Sequence, residues 1–116
     1  MSVNKRGTNF KYGIEIGDKS LLTGVAFVQA LKAYATALSP VAVAANTTAE
    51  QTFTVNGLVA GDTVLAVNKP TAQAGLGIVG WRVSAANTLA ITFSNNTAAP
   101  ITPTAAEVYN VVAATI

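Results

Sequence analysis

The chain contains no cysteine and no histidine. Without cysteine it has no disulfide framework and no thiolate metal site. Without histidine it lacks the usual general base, the commonest metal ligand, and every Ser/His/Asp or Cys/His nucleophile arrangement. Charge is scarce as well. Charged residues make up 10% of the 116 positions, against about a quarter in an ordinary soluble domain. Uncharged polar side chains, or other subunits, must therefore cover much of the surface. Five carboxylates remain: Glu15, Asp18, Glu50, Asp62 and Glu107. Only the first two are close in sequence, and the others fall near expected strand ends or turns. That leaves little support for a glycosidase-type acid pair. The expectation is a non-enzyme with no cofactor and no metal.

Long hydrophobic runs are missing too. Leu21 to Leu31 is the most apolar stretch, and Lys32 ends it short of the ~20 residues that a spanning helix needs. As a secretory leader it starts late, and Glu15 and Asp18 precede it. No membrane association is expected. The net charge of +2 is too small to imply nucleic acid. Most of the basic residues come early: Lys5, Arg6, Lys11, Lys19 and Lys32. The pattern predicts a mildly basic arm ahead of a nearly neutral body.

Half of the sequence (51%) is hydrophobic, which supplies a core for one domain of this length. Within the arm, Phe10, Tyr12, Ile14 and Ile16 alternate with polar or small residues. Such a period-2 segment can add a strand to a neighbour's sheet. Residues 20–38 carry two patterns. Leu21, Val25, Val28, Leu31, Ala35 and Leu38 fall at helical spacing, while Tyr34, Thr36 and Leu38 alternate with alanines. A short helix over 20–31, then a strand from about Ala33, satisfies both. The predicted organisation is an extended N-terminal arm over 1–32 and a β domain over 33–116.

Beyond Pro40, strand-like runs recur at the 8–12-residue spacing of sandwiches and barrels. They cover Val41 to Ala45, Gln51 to Val55, Thr63 to Val67, Ile78 to Ser84, Leu89 to Ser94 and Glu107 to Ala113. Turn residues fill the gaps, including Asn46-Thr47-Thr48, Gly61-Asp62 and Ala86-Asn87-Thr88. Alternation turns Phe53 and Val55 inward, puts Val79, Trp81 and Val83 on one face, and lines the core with Leu89, Ile91 and Phe93. Tyr109 and Val111 share a face opposite Val108, Asn110 and Val112. The fold class that follows is all-β: a single antiparallel β-sandwich, jelly-roll or immunoglobulin-like.

Gly75-Leu76-Gly77-Ile78-Val79-Gly80 matches G-x-G-x-x-G literally. A dinucleotide site needs a helix to follow, and an acidic residue about 20 positions on. Here Trp81-Arg82-Val83-Ser84 continues as a strand, and the next acidic residue is Glu107. The motif reads as a glycine-rich entry to a strand. Trp81 is expected in the core and Arg82 at an interface, where arginine is enriched. Two N-x-[ST] sequons, at Asn46 and Asn95, are expected by chance in a chain this rich in Asn and Thr.

From Ala35 to Val112 the chain resembles a module of small virion proteins from tailed bacteriophages. The segments that carry the likeness run from Val43 to Val55, then Gly61-Asp62-Thr63-Val64, Asn68-Lys69-Pro70 and Ala74 to Val79. They continue with Arg82 to Phe93, Ile101-Thr102-Pro103 and Tyr109 to Val112. The resemblance implies a virion component assembled in the host cytoplasm: a head decoration (cement) protein that binds the major capsid protein and self-associates as a homotrimer. The alternative is a head- or tail-fibre module recognising a host glycan or surface protein. Partner-binding residues expected on this reading are Phe10, Tyr12, Ile14 and Ile16 of the arm, together with Arg82.

Overall fold

The computed structural model describes residues 27–116. They form six strands: β1 (Ala30–Leu38), β2 (Thr47–Thr54), β3 (Thr63–Asn68), β4 (Leu76–Ala85), β5 (Thr88–Asn95) and β6 (Glu107–Thr115). These make two three-stranded antiparallel sheets, ordered β1-β6-β3 and β2-β5-β4. The all-β class expected from the sequence is what is found. The expected helix over 20–31 lies mostly outside the described residues. Where the two overlap, the chain is already a strand from Ala30, and the alternation of Tyr34, Thr36 and Leu38 against alanines has prevailed.

Each sheet turns one face toward a shared core. β5 contributes Leu89, Ile91 and Phe93, and β6 contributes Tyr109, Val111 and Ala113, all fully buried. Phe53 from β2 and Tyr34 from β1 pack against that cluster. Period-2 alternation puts these residues on one side of each strand, so burial follows from the pattern. The central strands β5 and β6 are covered most completely because each has a neighbour on both edges.

Two expectations fail for identifiable reasons. Val41 to Ala45 is not a strand. It crosses between the sheets, and only Val43 makes a bridge, to Ile101, through backbone bonds of 2.8 and 3.0 Å. A crossing segment with one buried valine looks like a short strand in sequence. β2 accordingly begins at Thr47, inside the stretch expected to be a turn. In β4, Val79 does not share a face with Trp81 and Val83. The register shifts between Ile78 and Gly80, so Ile78 opposes Phe93 and Trp81 opposes Ile91. Val79 is the extra residue of a bulge and is 63% exposed.

Local chemistry fixes the connections. Asn87 adopts φ 58° in the β4–β5 turn, a conformation asparagine tolerates. Its backbone N–H donates to Leu58 O at 2.8 Å, and its side-chain oxygen accepts from Gly57 N at 2.9 Å. The turn is thereby tied to the loop before β3. At the other end of β5, the buried Asn95 amide donates to Val43 O (3.1 Å) and Ala99 O (2.8 Å). Its oxygen accepts from Thr97 N (2.9 Å) and Thr97 Oγ1 (2.8 Å). Every polar atom of this buried side chain is satisfied, as burial of an amide requires.

Candidate functional site

The described residues contain six charged side chains, and all six are used internally. Lys32 Nζ lies 2.5 Å from Asp62 Oδ2, Lys69 Nζ 2.9 Å from Glu107 Oε1, and Arg82 Nε 2.9 Å from Glu50 Oε2. The net charge of +2 therefore belongs to residues 1–26. The body is neutral contact by contact, not merely in total.

Two of these pairs brace opposite ends of the β1-β6-β3 sheet. Asp62 sits at the entry to β3. Besides Lys32, it accepts from Val59 N at 2.9 Å and from the Thr115 hydroxyl, at the end of β6, at 2.7 Å. The Lys32 hydrogen bond, then the Val59 N–H and the Thr115 hydroxyl, hold its carboxyl down at about 2. Glu107, at the start of β6, accepts from Thr71 and faces Lys69 just beyond β3. These contacts, Thr71 first, lower its pKa. Tyr109 lies on the same inward face, and its buried hydroxyl has no hydrogen-bond partner among the described residues. Burial, and secondarily the Glu107 charge, push it up to about 12.

The third pair lies on the outer face of the β2-β5-β4 sheet. Arg82 makes a bidentate contact with Glu50, both bonds 2.9 Å, diagonally across β5. Each lowers the other's tendency to lose its charge: Glu50 is shifted down and Arg82 up, chiefly by their shared hydrogen bond. Arg82 is exposed, as an interface residue must be, but its guanidinium is already engaged. Phe10, Tyr12, Ile14 and Ile16 lie outside the described residues. Trp81 is not in the buried core. It sits on the edge strand β4 and is 38% exposed. Its indole N–H donates to Val64 O at 3.0 Å, linking β4 to β3 across the gap between the sheets.

The outer face of the β1-β6-β3 sheet is different in kind. Register sets Leu31 beside Ala114, Ala33 beside Val112 and Ala37 beside Val108. Leu31 is 69% exposed and Val108 50%, and the alanines of β1 are exposed as well. Among the described residues no charged side chain lies on this face; Asn68 and Asn110, paired in register, and Thr63, beside Ala114, are its polar residues. An exposed apolar sheet face, here Leu31, the β1 alanines and Val108 around the Asn68–Asn110 pair, is a candidate interaction surface. Sequence reasoning placed Val108 and Val112 together but did not single out this face. Alternation shows that a strand has two faces without saying which is covered.

Two other places lack the features of a site. A shallow cavity of 160 Å³, lined by Lys69, Thr71, Gln73 and Leu76 among others, is below the usual size of a small-molecule pocket. Its lysine is committed to Glu107. The Gly75–Gly80 motif enters β4, so no helix N-terminus follows it. Among the described residues no cluster of acidic side chains is placed to hold a metal, and no helix is long and apolar enough to cross a membrane. Comparison with known proteins finds no family model, no curated protein and no solved structure that matches this chain.

Proposed function

We propose that this chain is a non-catalytic structural module of a tailed-bacteriophage particle, a decoration protein that docks on the head shell and fastens neighbouring capsomers. The observation that carries the reading is the uncharged, exposed face of the β1-β6-β3 sheet on a body whose charges are all paired internally. Such a face gains by being covered and makes no electrostatic demand on what covers it. An apolar docking surface free of stranded charge is what permanent assembly needs, since a buried unpaired charge is strongly unfavourable.

We also infer that the two sheets form a jelly-roll sandwich two strands short of the usual eight. Strand order supports this. β1 pairs with β6, β2 pairs with β5, and Trp81 joins β4 to β3. First with last, second with fifth and third with fourth is the order produced by rolling up one long antiparallel hairpin. The immunoglobulin-like alternative pairs its strands in a different order.

Pelleting with purified heads tests the function. The chain should co-sediment with heads of the phage that encodes it, and Val108→Asp, which puts a charge on the apolar face, should reduce occupancy at least tenfold. Full occupancy by the variant, or no binding by the parent chain, contradicts the proposal. Specific capture on a glycan array without head binding would support the fibre-module alternative instead.

A further inference from the structure

A sandwich of two open sheets has four edge strands, and each presents unpaired backbone groups that invite another strand. Among the described residues three of these edges are obstructed. On β2, the Gln51 side chain is clamped to the backbone of Val41, accepting from its N–H at 2.8 Å and donating to its carbonyl at 2.9 Å, so the crossing segment lies against that edge. β3 is short and shifts register between Val64 and Ala66, and Val64 O is occupied by Trp81. β4 shifts register twice, between Ile78 and Gly80 and between Val83 and Ala85.

Among the described residues β1 has none of these devices. It runs nine residues in unbroken register with β6, without proline or bulge. Lysine on an edge strand ordinarily discourages strand addition. The lysine of β1 does not serve that end, because its charge is neutralised within the chain by Asp62 at 2.5 Å. The outward row of β1 is Leu31 followed by alanines, which offer little steric barrier.

We infer that the edge of β1 left unpaired among the described residues pairs antiparallel with β1 of a second copy about a two-fold axis. The other described edges of a second copy are obstructed, so the available match for β1 is β1 itself, which makes the contact isologous. With the axis at Tyr34 all nine residues of the strand are paired, Ala30 opposite Leu38 and Ala33 opposite Ala35. Inward residues stay opposite inward residues. Lys32 then faces Thr36 of the second copy, so no like charges meet.

Area favours the same arrangement. With β1 and β6 nine residues long and β3 six, the three strands present a face about 14 Å wide and at most about 30 Å long, or roughly 400 Å². That is about half of the ~800 Å² per partner in a stable protein interface. Edge pairing joins two such faces into one six-stranded surface of about the required size. The contact produces a dimer. The trimer implied by the phage resemblance would need a separate, head-to-tail contact. The pairing stands on the sheet edges and register, and only the area comparison borrows the proposed docking face, so the test reads oligomeric mass and leaves head binding aside.

Sedimentation equilibrium of the full chain at tens of micromolar is the test. Twice the 11.8 kDa chain mass is expected. Ala33→Lys with Ala35→Lys sets like charges opposite each other at two points and should yield the single mass. Ala33→Glu with Ala35→Lys sets opposite charges together and should keep the double mass. Circular dichroism confirms that both variants keep their sheet content. A single or triple mass for the parent chain overturns the inference. So does a lysine pair that stays dimeric, or a charge-complementary pair that dissociates as readily as the lysine pair.

Discussion

Asp62 and Lys32 meet at 2.5 Å across a sequence separation of 30, joining the start of β1 to the entry of β3. Asp62 is nearly inaccessible, with 1% of its side chain exposed, and its other oxygen holds Thr115 at the end of β6. One carboxylate thus fastens three strands of one sheet.

This contact gives the chain a specific acid response. The native Asp62 carboxyl is held at about 2, below the ordinary value near 3.9. A carboxylate with a depressed native pKa contributes stability that is fully present above its unfolded pKa. That contribution is lost as pH falls through the native value. Thermal melts of the parent chain should decline between pH 4 and pH 2. Asp62→Asn should lower the melting temperature by several degrees at pH 7 and flatten the decline in that window. An unchanged slope in the variant would count against the clamp.

The bulge in β4 separates two adjacent aliphatic residues. Ile78 opposes Phe93 and packs on the core, whereas Val79 is 63% exposed. Ile78→Ala should cost about 2–3 kcal/mol in urea denaturation. Val79→Ala should stay within about 0.5 kcal/mol. Reversed magnitudes would restore the simple alternation of Val79, Trp81 and Val83.

The glycine motif should behave as turn chemistry. Gly75 has φ 80°, and a Cβ there would fall 2.2 Å from Thr97 Cγ2. Gly77 has open space around it and no left-handed φ. Gly75→Ala is expected to destabilise by about 2 kcal/mol or more, from strain and clash together. Gly77→Ala should be tolerated. Equal sensitivity at both positions would argue that the motif holds something beyond its own turn.

Trp81 supplies a direct tie between the sheets. Trp81→Phe keeps an aromatic ring but removes the pyrrole and with it the donor to Val64 O, at a cost of at least about 1 kcal/mol by urea denaturation followed by circular dichroism. A neutral substitution would mean that packing alone closes the β3–β4 side.

Much of this architecture can be read from the sequence where alternation is strict. Leu89, Ile91 and Phe93, and Tyr109 with Val111, were expected on core faces and are there. Alternation misleads at Val79 because one inserted residue resets the pattern and leaves no mark in composition. It also misleads at Val41 to Ala45, where a crossing segment borrows the apolar character of a strand. The candidate site was harder to see. The neutralisation of Lys32 depends on Asp62, and the engagement of Arg82 depends on Glu50, 32 positions away. Pairings at such distance are set by topology and not by local pattern. Without them the neutrality of the body, and hence the meaning of the bare β1-β6-β3 face, stays hidden.

The central claim is that this bare face is where the protein docks. Cryo-electron microscopy of the phage particle measures it most directly. The account predicts density for this module on the outer head shell, with Leu31 and Val108 covered by the shell or by a neighbouring subunit. Particles that lack the module, or that carry it with those two residues turned to solvent, would contradict it.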